Sequence, residues 1–158
     1  MSDKQAYALL KQLVAAVPAV SAEDLQGLWT GHTIFSSIIV PQPSKGNESE
    51  GCTKMIAALK GKSLPTQMRF SGDSSGSGAM TLTINTGGNK PPKPTTVNYK
   101  YEDGEIAVHQ TVQGALFNMK GTARRTESGE EMSGSISINA TSKGHTMSMS
   151  GNWSVSKK

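Results

Sequence analysis

Two different spacings of apolar residues divide the chain. Near the N-terminus they recur every three or four positions, as on one face of a helix, at Ala6, Leu9, Leu10, Leu13, Val14 and Val17. Ser2 and Gln5 have the spacing of a capping box and Pro18 interrupts the pattern, so the sequence predicts one amphipathic helix before residue 18. A second start signal begins at Ser21 and reaches only Gly27, which predicts a single turn.

From about Trp29 onward, apolar and polar residues alternate, which is typical of strands with one face toward a core. The alternating runs end in turn-forming residues at 72–76, 102–104, 127–130 and 142–144. Together with a run over residues 28–39, the pattern gives about eight strands. We therefore expect an all-β fold, an antiparallel up-and-down barrel of about eight strands with an N-terminal α-helix. Residues 1–26 would form the helix and connecting turn, and residues 27–158 the barrel domain.

Three stretches depart from the strand pattern. Residues 41–51 and 87–94 have the composition of loops, and residues 53–59 have the spacing of a short helix. Two interpretations remain open for them, because long loops serve as lids in some proteins and are plain surface excursions in others.

The composition indicates a core with few large apolar side chains. Leu, Ile, Val and Phe account for only 28 of 158 residues, while the net charge of +4 is too small for disorder by self-repulsion. The eight Met and 13 Ala residues can complete a core, so we expect a folded chain. A single cysteine, Cys52, excludes an internal disulfide and a thiolate zinc cluster.

A short motif at the start of the first strand suggests a family. Gly27 and Trp29 follow a helical turn and open the barrel pattern, and this arrangement resembles the Gly-x-Trp entry of lipocalins and related calycins. The resemblance implies a calycin-like barrel whose Trp packs at the closed end beneath a basic side chain from a late strand. Arg125 has the inward parity for that role, although its strand differs from the lipocalin pattern, and the last strand has only Lys157 and Lys158 as basic residues. A helix over residues 53–59 would be more similar to the intracellular fatty-acid-binding branch.

The inward face of such a barrel suggests binding of a small hydrophobic molecule. A small barrel is either filled by its own side chains or holds one ligand, and both possibilities stay open here. If it is hollow, Met side chains would let the cavity adapt to the ligand. The candidate ligand-binding residues are Phe35, Met68, Phe70, Met80, Leu82, Tyr99, Val108, Gln110, Phe117, Met119, Ile136, Met147 and Met149. The helix or the long loops would act as a plug.

Signals for catalysis are sparse. His32, His109 and His145 lack the spacing of metal ligands, and no phosphate-binding loop or nucleophile elbow is present, so we expect no metal and no cofactor. The enzymatic alternative is a cofactor-independent cyclase or isomerase that positions a hydrophobic substrate in the barrel. Its candidate catalytic residues are Tyr99, Gln110 and Arg125.

The outward faces of the last two strands have rows of serine in place of charges. These rows are Ser133, Ser135 and Ser137, followed by Ser148, Ser150, Ser154 and Ser156. They form a solvated surface or, as a third alternative, a structural or interaction face that allows homo-oligomers. Scattered lysines and few aromatic residues argue against nucleic acid, and the composition argues against a membrane-spanning helix. We expect a cytoplasmic protein, or a secreted one if an upstream signal was trimmed.

Overall fold

Eight antiparallel strands follow one N-terminal helix and close into a barrel. The computed structural model describes residues 2–16, 20–40, 54, 56–87, 91–142 and 145–157. The elements are α1 (Asp3–Ala16), β1 (Gly27–Ile39), β2 (Leu64–Gly72), β3 (Ser77–Ile84), β4 (Thr95–Glu102), β5 (Glu105–Val112), β6 (Ala115–Thr126), β7 (Gly129–Ser142) and β8 (His145–Lys157). Each strand pairs with the next, and β8 pairs with β1, so the predicted up-and-down barrel is confirmed.

The local signals at the N-terminus form the structures that the sequence predicts. Ser2 and Gln5 make a reciprocal capping box, with the backbone N–H of Ser2 3.0 Å from Gln5 Oε1 and the backbone N–H of Gln5 3.2 Å from Ser2 Oγ. Ser21 Oγ likewise accepts the backbone N–H of Asp24 at 3.1 Å, which caps the predicted single turn. β1 begins at Gly27, where we expected the barrel to start.

Short turns join most of the strands, because the sequence supplies residues that tolerate positive φ. Asp103 and Gly104 have φ of 53° and 80°, and Gln113 and Gly114 have 50° and 82°. Positive φ at both central residues is the signature of the type I′ hairpin turn, whose twist matches that of the strands. Lys54 and residues 56–59 are helical, in agreement with the short helix expected there. The predicted loop at 41–51 lies outside the described residues.

Glycines on β6 and β7 leave room inside the barrel for a tryptophan of β8. Gly121 and Gly134 are paired across β6 and β7, and Gly134 faces Trp153 on β8. A Cβ atom at Gly121 would lie 2.6 Å from Cη2 of Trp153 and 2.8 Å from the Ser133 carbonyl oxygen. Any larger side chain at Gly121 would therefore collide with both the ring and the backbone.

We predict that Gly121→Ala lowers the free energy of unfolding by about 1–3 kcal/mol, since the added methyl group overpacks the space filled by Trp153. Urea denaturation measures the change, and Ser135→Ala on the exposed face of β7 is the control. Equal urea midpoints for Gly121→Ala and Ser135→Ala would contradict this account of the packing.

Candidate functional site

The two ends of the barrel are built differently. At one end, which we call the closed end, residues 20–26 pack against the beginning of β1 and the end of β8, and Val20 and Leu25 are buried in the core. At the other, the open end, β1 finishes and β2 and β8 begin. The packing of the inward side chains differs between these two ends.

Backbone carbonyls of residues 20–26 are bound by side chains from inside the barrel. The indole N–H of Trp29 donates to the Leu25 carbonyl oxygen at 2.8 Å. The Tyr101 hydroxyl donates to the carbonyl oxygen of Val20. Since each carbonyl would otherwise be buried without a partner, these bonds fix the segment across the closed end.

Further polar contacts hold the same segment at its edges. Gln26 Nε2 donates to the Tyr99 hydroxyl at 2.9 Å, and Gln26 Oε1 accepts the backbone N–H of Gly72 at 2.5 Å. Lys157 Nζ donates to the carbonyl oxygens of Asp24 and Gln26 at 2.7 and 2.5 Å. The residues that plug the barrel are thus 20–26, whereas the described side chains of α1, residues 2–10, are exposed.

A basic side chain over the closed end was expected from the resemblance to calycins. The structure places two there, because Arg125 forms an ion pair with the Asp24 carboxylate and Lys157 binds the backbone of the plug. Arg125 is partly exposed, so solvent weakens its ion pair. Lys157 comes from the last strand and donates to two carbonyl oxygens of the segment.

Side chains fill the closed half of the barrel completely. Trp29 and Met80 are 0% exposed, and Met68 is 1% exposed. Rings of Trp29, Phe70 and Tyr99 stack edge to face, with centroids 6.4 and 5.1 Å apart along the series. A cavity large enough for water would leave accessible surface on such residues, so this half is solid core.

Inward side chains of β6, β7 and β8 are only partly covered at the open end. Phe117, Met147 and Met149 are half-buried although they point inward, since Phe117 pairs with Ile138, Ile138 with Met149, and Ala140 with Met147. The other partly buried apolar residues packed there are Ile38, Leu59, Ile84, Val112 and Ile138. The apolar side chains at this part of the open half are therefore less completely covered than those at the closed half.

The barrel wall is also incomplete between β4 and β5. These strands pair at three positions, from Glu102 and Glu105 as far as Lys100 and Ala107, whereas β5 and β6 pair at eight. Beyond that point, Gln110 Oε1 accepts the backbone N–H of Asn98 at 2.6 Å and takes the place of a missing ladder bond. A depression of about 490 Å³ lies outside this opening, lined by Ser77, Gly78, Asn98, Tyr99, Lys100, Ala107 and His109.

The structure does not bring the three candidate catalytic residues into one described hydrogen-bond network. Tyr99 is bound to Gln26 at the closed end, Arg125 pairs with Asp24 at the barrel rim, and Gln110 bridges the opening between β4 and β5. The candidate binding residues fall into two groups by burial. Nine of them are buried, namely Phe35, Met68, Phe70, Met80, Leu82, Tyr99, Val108, Met119 and Ile136, and four are half-buried, namely Gln110, Phe117, Met147 and Met149.

The sequence reasoning missed polar residues that the barrel encloses. Thr33 and Thr66 are buried, their hydroxyl oxygens are 2.6 Å apart, and Thr66 also donates to the Leu64 carbonyl oxygen at 2.9 Å. Their alternation with Phe35 and Met68 could have placed them inside. Gln26 carried no such signal, because it precedes the first strand.

The outer face of β7 and β8 has the expected rows of serine. Ser133 lies opposite Ser154, and Ser137 opposite Ser150, so hydroxyl groups from the two strands face solvent side by side. A shallow depression of about 670 Å³ extends from β5 across this face. Its polar lining includes Glu105, Lys120, Thr122, Ser133, Ser135 and Asn152.

Ionisable groups elsewhere have structural explanations. Hydrogen bonds from Ser75 lower the pKa of the Asp73 carboxyl, as expected for a residue that forms the β2–β3 turn. Burial raises the pKa of Tyr101, with a further contribution from the negative charge of Glu130. The His32 and His109 side chains are exposed, and Cys52 lies outside the described residues. Within the described part of the chain, no group of His, Cys, Asp and Glu could hold a metal ion.

Comparisons with known proteins supply no family. No protein-family model matches the chain, and no curated protein matches it. A solved structure from Bacteroides ovatus, described as structural genomics of unknown function, is similar with a TM-score of 0.47 and 13% identity. The match covers 85% of this chain and 42% of that one, so this chain spans less than half of the solved chain. The barrel assignment rests on the strand pairing described above.

We predict that Tyr101→Phe destabilises the protein by about 1–2 kcal/mol at pH 7, because the Val20 carbonyl oxygen loses its buried donor. The raised pKa of Tyr101 means that its stabilising contribution is complete below the unfolded pKa of about 10 and is lost as pH rises through the folded pKa. The stability difference between wild type and Tyr101→Phe should shrink above about pH 10 in urea titrations. A difference that stays constant to higher pH would exclude the linkage.

We predict that Gln110→Ala speeds hydrogen exchange of the Asn98 amide by about tenfold or more, since that amide loses the acceptor that protects it. Exchange is measured by NMR or mass spectrometry. Gln67→Ala, at an exposed position on β2, is the matched control and should leave the Asn98 amide unchanged. Unaltered exchange in Gln110→Ala would show that the bridge does not close the opening.

Proposed function

We propose that this protein binds one small hydrophobic molecule in the open half of its barrel. The observation that carries the proposal is the contrast in packing along the barrel axis, with solid core around Trp29 and Met80 and partly covered apolar side chains around Phe117 and Met149. Removing apolar ligand surface from water contributes about 25 cal/mol per Å², so an apolar molecule gains most from this space.

The packing also limits the size and chemistry of the ligand. An eight-stranded barrel is just wide enough to hold its own side chains or one small ligand, and here the closed half is already occupied. The ligand would lie among Phe117, Ile138, Met147 and Met149, where flexible Met side chains adapt to its shape. The half-buried Gln110 amide on β5 would orient a polar group at one end of the molecule.

The proposed binding function includes a likeness to the calycins. The Gly27–Trp29 entry, the closed eight-stranded meander and the basic side chains over the closed end support a calycin-like ligand-binding barrel. The enzymatic alternative has less support, because Tyr99 and Arg125 are bound to residues 20–26 at the closed end, whereas Gln110 binds Asn98 between β4 and β5.

The decisive experiment places bulk on the inward face at the open end. We expect Met149→Trp to weaken binding of anilinonaphthalenesulfonate, an anionic dye with apolar aromatic rings, by about tenfold or more, because the indole fills the proposed space. Ser150→Trp is the matched control, since it adds the same ring to the neighbouring residue on the outward face. Dye fluorescence titration measures binding, and circular dichroism verifies that both variants are folded.

A second variant, Ile138→Trp, keeps the test valid if Met149→Trp does not fold. Equal dye affinity in wild type, the folded inward variant and Ser150→Trp would contradict the proposal. Native mass spectrometry of protein purified from its source should additionally show a retained apolar compound, and that compound should be missing from the inward variant.

A further inference from the structure

The N-terminal helix exposes an apolar stripe that the barrel does not use. Leu9 is 46% exposed and Leu10 is 59% exposed, and among the described residues no strand packs extensively against α1. The sequence continues the same helical spacing at Leu13 and Val14. Apolar side chains that stay exposed to water are unfavourable, and a contiguous exposed apolar stripe is typical of an interaction surface.

The two lysines of α1 lie away from Leu9 and Leu13 and favour an anionic partner. Successive residues advance by about 100° around a helix, so the positions of Lys4 and Lys11 fall on the side opposite Leu9 and Leu13. The acidic residue of α1, Asp3, lies seven positions before Leu10 and therefore on the same side of the helix, in the first turn, where it compensates the partial positive charge of the helix N-terminus. The whole chain has a net charge of +4, which adds to the attraction.

From this arrangement we infer that α1 is an interfacial helix that binds the surface of anionic lipid bilayers. The helix would lie in the plane of the headgroups, with Leu9 and Leu10 inserted toward the acyl chains and the lysine side facing the phosphates. It is too short to cross a bilayer, and no helix among the described residues has the length and apolar character to do so.

A second copy of this chain fits the stripe less well. The 14 residues of α1 form a rod about 21 Å long and about 10 Å across, so its projected face is about 200 Å². Stable protein interfaces bury about 800 Å² per partner. Pairing of two such helices would supply too little area, whereas a bilayer accepts a narrow stripe of any length.

The test is flotation of the whole protein with lipid vesicles. Wild type should bind vesicles of phosphatidylcholine with about 30% phosphatidylglycerol, and bind pure phosphatidylcholine several-fold more weakly. Raising the salt from about 0.05 M to about 0.5 M should also release the protein. Leu9→Ser combined with Leu10→Ser leaves the charge unchanged and should reduce binding by about tenfold or more.

Ala8→Ser is the control, because it makes a similar polar change on the opposite side of the same helix and should keep vesicle binding. The exposed positions of Leu9 and Leu10 allow the double variant to retain the barrel, which circular dichroism verifies. No binding of wild type at low salt, or equal binding by the double variant, would overturn the inference. A dimer in sedimentation velocity that disappears in the double variant would assign the stripe to a second copy and overturn it as well.

This inference does not rest on the proposed ligand. Met149→Trp should float with anionic vesicles as wild type does, and the Leu9 and Leu10 double variant should bind anilinonaphthalenesulfonate in the barrel as wild type does. Failure of one proposal therefore leaves the other intact.

Discussion

The hydrogen bond from the Trp29 indole to the Leu25 carbonyl oxygen is the contact around which the closed end is organised. It turns the chain from residues 20–26 into β1 at the place where the barrel would otherwise be open to water. Tyr101 and Lys157 also bind backbone carbonyl oxygens of this segment, and its own Gln26 side chain donates to Tyr99. One end of the barrel becomes solid, and any free interior space is left to the other end.

The fold could be predicted from the sequence because the alternation of apolar residues and the positions of the turn residues indicate the same structure. Alternating residues defined the strands, and the Asp103–Gly104 pair adopted the positive φ values that the hairpin requires. The inward parity of Met68, Met80 and Met119 was correct for the same reason, since a strand has a side-chain period of two. Local rules suffice where each residue meets its neighbours in a regular ladder.

The candidate site was harder to predict, because it depends on contacts between distant parts of the chain. Gln26 and Tyr99 are 73 positions apart, and nothing in either local pattern indicates that their side chains meet. Periodicity could not separate buried Met80 from half-buried Met149, since both have the inward phase. The difference between them arises from the plug at one end of the barrel, which is a property of the closed structure and not of a strand.

The short pairing between β4 and β5 has a mechanical consequence for the whole barrel. The wall of a closed barrel is a ring of hydrogen-bonded strands, and it is weakest where two neighbouring strands share the fewest backbone hydrogen bonds. In this barrel that place is the stretch beyond Lys100 and Ala107, where the Gln110 side chain spans the gap between the strands. The wall of the barrel is therefore held by the fewest backbone pairs on the open-end side of β4 and β5, whereas the strands around Trp29 are paired along a longer ladder.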